Sequence, residues 1–189
     1  DGGAIYSKNN VNVTKNITLK GDGINTLING NGGGKTGCIL KVSTNGMTVD
    51  GITFNNTGAD LTYTDYDTLE GWAIRLDVSS NILVNNCSFL NFNREINFDG
   101  TSRSTVINCY FTGATTRITN GDGKERGTRA ISFSSDSNYN KIINNTFYGS
   151  MLDGINIDAA SNTKIIGNTF FNNSYSIFLD SAATENLII

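Results

Sequence analysis

Few residues in this sequence can do chemistry, and one type is missing altogether. The chain holds 14 Lys and Arg, 17 Asp and Glu, three Cys, two Met and no His. Without His there is no Ser-His-Asp or Cys-His catalysis, no His-ligated zinc or copper and no His-held haem. Three Cys cannot build a four-thiolate zinc site.

The remaining candidates recur at matching places in short apolar segments. Lys41, Arg75, Asn97, Ser132, Asn156 and Phe178 occupy equivalent outward places, flanked by Arg94, Glu95, Arg129, Asp153 and Tyr175, with Trp72 just ahead of one segment. Arginine and lysine beside carboxylates are suited to an acidic sugar. Trp72, Tyr66 and Tyr175 offer apolar faces to a sugar ring. A lyase needs a base for a sugar C5 proton, and Arg75 is the candidate beside Lys41. A hydrolase needs two carboxylates at a set separation, and Glu95 and Asp153 are the candidates, with Arg129 beside them. The plainer reading of all these residues is a solvated polar face, and it carries the most weight. Ligand binding then rests on Lys41, Trp72, Arg75, Arg94, Asn97, Arg129, Asn156 and Tyr175.

A second cluster lies on the segment 57–71, where Asp60, Asp65, Asp67 and Glu70 are interleaved with Tyr63 and Tyr66. Four carboxylates on one loop could hold Ca²⁺, which takes six to eight oxygens. Segment 114–128 carries Asn120-Gly121-Asp122-Gly123-Lys124, a fragment of such a loop without the other ligands. Soluble loops with turn residues explain both more simply. No cofactor is required beyond this candidate Ca²⁺.

Two further columns have structural readings. Asp77, Asp99, Asp158 and Asp180, with Ser134 between, are expected to bond turn backbone rather than form an ion ladder. Cys87 and Cys109 share a column in neighbouring units and read as small buried thiols, with Cys38 unpaired. Glycosylation sequons occur at Asn12, Asn16, Asn55, Asn86, Asn144 and Asn172.

The elements that would position these residues follow from a repeat. Five segments align on one phenylalanine, at Phe54, Phe89, Phe111, Phe147 and Phe170, each with a β-branched residue five places earlier. Two places before the Phe stand Ile52, Cys87, Cys109, Asn145 and Asn168. A second short strand follows each, centred on Ile74, Ile96, Ile131, Ile155 and Ile177, with an earlier copy at Ile39-Leu40-Lys41-Val42. The unit is about 22 residues, with 57–71 and 114–128 as insertions in alternate units. Strands this short cannot stand alone. Stacking them in register about 4.8 Å apart buries their inward side chains in continuous columns. The expected fold is therefore all-β, a right-handed parallel β-helix forming a single domain over 1–189. The absence of Pro agrees, because interior rungs need their N–H groups for the ladder.

These segments resemble the pectin-lyase-like superfamily of parallel β-helices. The resemblance covers nearly the whole chain and implies a rung of three strands. Ile74 and its equivalents would lie in the first strand, Val84 and its equivalents in the second, and the Phe column in the third. The Asn145/Asn168 column resembles the asparagine ladder at the tight turn between the second and third strands. Asn16–Gly23 is similar to the opening of NosD-type surface proteins, and Gly2-Gly3-Ala4-Ile5-Tyr6 to a phrase of methanogen adhesin-like repeats. The resemblance implies that the outward face of the first strands, walled by 57–71 and 114–128, is where related lyases and hydrolases hold substrate. The aspartate and histidine motifs of pectin hydrolases are not found here. A copper-loading role of the NosD kind finds no support in a chain with two Met and no His.

The uncharged polarity is unusual: 28 Asn and 21 Gly accompany only 16% charged residues. A net charge of −3 argues against nucleic-acid binding. No apolar run reaches the roughly 18 residues of a membrane span. The chain opens without a signal peptide and closes on Leu187-Ile188-Ile189, so it reads as a piece of a longer, processed or trimmed protein. The leading expectation is an extracellular cell-surface module, adhesin-like or structural, binding a glycan or cell-surface partner. The alternatives are a carbohydrate-active lyase or hydrolase, and a filament or stalk subunit that associates end to end.

Overall fold

The computed structural model describes residues 5–7, 11–30, 38–57, 71–92, 94–113, 118–119, 125–126, 128–134, 136–149 and 152–189. Among them the secondary structure is strand and turn, without a helix. Seven parallel strands form the first-strand sheet: Val11–Val13, Cys38–Val42, Trp72–Asp77, Arg94–Asp99, Arg129–Ser134, Asp153–Ile157 and Tyr175–Leu179. A twelve-stranded sheet holds the second and third strands together. The two columns are continuous in Thr18–Gly30 and Thr48–Asn56, which run straight through the tight turn. In later rungs they separate, as in Leu83–Asn85 and Ser88–Phe92, or Thr105–Ile107 and Tyr110–Gly113. The chain is thus a right-handed parallel β-helix.

The expected register is the observed one. Val49, Val84, Val106, Ile142 and Ile165 stack as partners in the second strand. Phe54, Phe89, Phe111, Phe147 and Phe170 stack in the third. Their ring centroids are 5.2, 4.9, 4.8 and 4.9 Å apart with planes within 9° of parallel. The rung spacing brings like side chains to about van der Waals distance, so flat rings fill the lumen with few gaps. The sequence reading missed the first member of the first-strand sheet, Val11–Val13, which pairs with Leu40–Val42. Segment 114–128 is not all loop: Ile118–Thr119 and Glu125–Arg126 form an antiparallel pair.

One left-handed residue per rung makes the tight turn. Gly51, Asn86, Asn108, Asn144 and Gly167 occupy it, with φ between 51° and 65°. Asn tolerates this region better than other side-chain-bearing residues, which accounts for some of the asparagine richness. The following residue turns inward and forms the ladder. Asn145 Oδ1 accepts from the Cys109 N–H at 2.8 Å, and Asn168 Oδ1 accepts from the Asn145 N–H at 2.8 Å. Their amides donate to Val106 O and Ile142 O. The Cys87 and Cys109 thiols lie 3.2 Å from Asn85 O and Ile107 O of their own rungs and 3.8 and 3.7 Å from Val49 O and Val84 O, the equivalent carbonyls of earlier rungs. The thiol is a weaker donor placed on the same acceptor column.

A second ladder, not anticipated from sequence, lies at the turn before the second strand. Ser104 Oγ accepts from Ile82 N–H, Asn140 Oδ1 from Ser104 N–H and Asn186 Oδ1 from Thr163 N–H. These residues each precede a second strand by one place, which is the signal that would have revealed them.

Candidate functional site

The outward face of the first-strand sheet carries three columns. Register puts Cys38, Trp72, Arg94, Arg129, Asp153 and Tyr175 in one. Lys41, Arg75, Asn97, Ser132, Asn156 and Phe178 form the second, as expected. Asp77, Asp99 and Ser134 are partners in the third, which Asp158 and Asp180 continue from the ends of the last two strands. Leu40, Ile74, Ile96, Ile131 and Ile155, and Val42, Leu76, Phe98, Phe133 and Ile157, point the other way into the core.

Glu95 does not belong to this face. Its column, between the registered positions on either side, is Ile39, Ala73, Glu95, Ala130 and Gly154. A Cβ on Gly154 would meet the Phe170 ring at 3.0 Å, so the column looks into the lumen. Two successive residues, here Glu95 and Ile96, therefore face inward, and strict alternation fails at the corner where the chain enters the first strand. Glu95 has no exposed surface, and among the described residues neither carboxyl oxygen has a hydrogen-bond partner beyond the weak approach of its own main-chain N–H. Burial pushes its carboxyl well above the usual value, offset only by its own main-chain N–H. As a hydrolase carboxylate facing substrate, Glu95 is corrected to a lumen residue.

Trp72 is also corrected. It is 5% exposed, with the Arg94 guanidinium 4.9 Å from the ring centroid. That stacking covers the face a sugar would use. Tyr175 remains open, 57% exposed.

The cations are held by the next rung. Lys41 Nζ lies 2.7 Å from Asp77 Oδ2, and Arg75 Nη2 lies 2.7 Å from Asp99 Oδ2. The same diagonal continues without charge, the Ser134 hydroxyl donating to Asn97 Oδ1 at 3.4 Å. Asp77 and Asp99 are thus ion-pair partners, contrary to the turn-bonding expectation. Asp180 keeps that role, accepting from the N–H and hydroxyl of Ser181, which lower its pKa.

Arg129 reaches onto the following rung. Its Nε is 3.1 Å from Asp153 Oδ2 and its Nη1 is 3.9 Å from Asp158 Oδ2. Asn156 lies between those aspartates in sequence, so the guanidinium runs along the outward side of Asn156. Burial raises the Asp153 carboxyl, and Arg129 opposes the shift. Asn156 is fully buried, and neither amide atom finds a partner among the described residues. Its register partner Ser132 is 6% exposed, and the Ser132 Oγ is likewise unpartnered. Sequence alternation placed both on this face but could not show them closed off from water. The structure brings together Arg129, Asp153, Asn156, Ser132 and Asn97. It sets Lys41 and Arg75 on earlier rungs and Tyr175 on the last. Asp60, Asp65, Asp67 and Glu70 lie outside the described residues.

The match to known sequences spans residues 2–189, to the family described as periplasmic copper-binding protein (NosD). The chain belongs to the NosD family. No curated protein sequence matches it. The NosD chain's fold is similar to the crystal structure of PfbA, a surface adhesin of Streptococcus pneumoniae, with a TM-score of 0.56 and 19% identity. That similarity covers 82% of this chain and 40% of PfbA. This NosD β-helix therefore spans less than half the length of the adhesin it matches.

Proposed function

We propose that this β-helix is a non-catalytic module working outside the cytoplasm, adhesin-like or structural, with a glycan-binding first-strand face. The location draws on two descriptions, the periplasmic one of the NosD family and the surface one of PfbA. The observation that carries the non-catalytic reading is the disposition of the candidate acids and bases. Glu95 sits in the lumen, Arg75 is tied to Asp99, and Asp153 is tied to Arg129. A glycosidase needs two carboxylates facing one bond, and a lyase needs a free base; these residues supply neither geometry.

Copper does not enter this reading. No group of three or more His, Cys, Asp or Glu converges among the described residues. Cys87 and Cys109 are directed at main-chain carbonyls, and Met47 is buried in the core. Cys87 and Cys109 share one column, but Met47 stands at another position, and no third soft donor joins the two thiols among the described residues, which is a poor set for copper.

The test is a polysaccharide panel incubated with the protein, with and without Ca²⁺, reading binding and new reducing or unsaturated ends together. Binding without new ends is the expected result. New ends that vanish in Arg75→Ala or Asp153→Asn would establish an enzyme instead.

A further inference from the structure

We propose that a second surface, on the corner between the first and second strands, binds a linear acidic polysaccharide; it lies off the first-strand face and stands or falls apart from the reading of that face. This corner turns through one left-handed residue per rung. Gly46, Asn81, Arg103, Tyr139 and Asn162 occupy it, each donating its main-chain N–H to a carbonyl of the next rung. Gly and Asn suit that backbone; long or bulky side chains do not. Yet Arg103 at φ 52° and Tyr139 at φ 61° stand there on successive rungs. Both side chains are exposed, and the Arg103 guanidinium lies 5.8 Å from the Tyr139 ring centroid.

Two places further along each rung a second cost appears. Thr105, Lys141 and Lys164 are register partners, and both lysines are exposed. Their main chains are about 4.8 Å apart, and like charges directly opposite one another weaken a sheet. Lys41, Arg75 and Arg129 on the first-strand face are each paired with an aspartate. Among the described residues Arg103, Lys141 and Lys164 have no carboxylate at ion-pair distance. The nearby Glu185 accepts from the Asn162 amide at 3.1 Å instead.

Strained backbone and unopposed like charge thus fall on one corner, and neither helps the fold. Residues kept at such a cost point to a function. Three unpaired cations call for an anion, and Arg and Lys both bind carboxylates. The cations sit one per rung over three successive rungs, so they form a line along the helix axis. A line suits a linear chain with a charge on each sugar ring better than it suits a broad lipid surface. Ile107, Ile143 and Ile166, half-buried two places beyond the lysine column, give the ring C–H groups an apolar floor.

Titration calorimetry on the whole chain tests this, with oligogalacturonate and oligomannuronate set against neutral gluco-hexaose, polyphosphate and vesicles of anionic phospholipid. The acidic oligosaccharides should bind, and more weakly as salt rises. Lys141→Thr together with Lys164→Thr, which extends Thr105 along its column, should weaken that binding at least tenfold. Arg103→Asn and Tyr139→Asn, which copy Asn81 and Asn162, should each weaken it several-fold. All these variants should melt at a higher temperature than the wild type, because each relieves repulsion or left-handed strain. Side chains kept only for the fold would not give opposite signs in the two readouts. Equal affinity in the wild type and the double lysine variant would overturn the inference, as would a preference for polyphosphate or vesicles. A lower melting temperature in Arg103→Asn and Tyr139→Asn would overturn the argument from strain. Acidic binding lost in Arg75→Ala but kept in the corner variants would overturn this surface and leave the first-strand reading standing; binding of the neutral hexaose alone would do the same. Failure of every probe to bind would overturn both.

Discussion

Glu95 should make the stability of this protein fall as pH rises, and Glu95→Gln should abolish that dependence. The carboxyl is fully buried between Ala73 and Ala130 in its column, and no charged neighbour contributes to its shift. Its pKa in the folded chain lies well above the ordinary 4.5. The folded protein therefore holds a proton that the unfolded chain releases. The contribution is most favourable below pH 4.5 and is lost as pH climbs from there to the folded pKa. Across that window each pH unit costs about 1.4 kcal/mol. Gln has nearly the same size and also leaves polar atoms unpartnered, so the difference between wild type and variant isolates the proton. Urea unfolding of both proteins at intervals from pH 4 to pH 8 measures it. The two stabilities should differ least at pH 4, and the variant should gain by up to about 1.4 kcal/mol per unit above that. Every other titrating group is common to both chains and cancels in the difference. Parallel stability curves would refute the argument, since Glu95 would then be hydrated or paired.

Three other expectations concern the ladders and the ion pairs. Phe111→Ala removes a fully buried ring stacked 4.9 Å from Phe89 and 4.8 Å from Phe147, and should cost about 3–5 kcal/mol in denaturant unfolding. Asn145→Ala strips the acceptor from the Cys109 N–H and the donor from Val106 O; it should cost about 1–3 kcal/mol and speed amide exchange at Cys109. Arg75→Ala should change stability by no more than about 1 kcal/mol, because its pair with Asp99 is partly exposed, and the difference should shrink in high salt.

The columns of this protein were readable in one dimension because a solenoid repeats its neighbours. The Phe spacing alone aligned five rungs, and the observed register reproduces that alignment residue for residue. Two ladders at the turns obey the same arithmetic. The Asn145/Asn168 column was aligned by its offset to the Phe, and its reading as a ladder came from the resemblance to the pectin-lyase-like β-helices. The Ser104/Asn140/Asn186 ladder has an equally constant offset from the second strand and was missed, because its residues differ in type.

The candidate site was less legible. Period-2 alternation puts Lys41, Arg75, Ser132 and Asn156 outward, and that held. Glu95 was grouped with that face as a flanking residue, and this failed, because two consecutive residues turn inward at the corner entering the first strand. Trp72 was named as a sugar platform, yet Arg94 one rung later lies on it.

What the sequence determined by itself was the periodic part: the strand columns, the rung length, the stacked rings and the residues that share each face. Those follow from local pattern and a rung spacing common to all parallel sheets. What only the tertiary structure decided was which outward groups pair with the next rung, which are closed off from water, and where a corner inverts the alternation. Diagonal contacts such as Lys41–Asp77 join residues 36 positions apart, and burial depends on everything packed around a side chain. Neither is encoded in the neighbours along the chain.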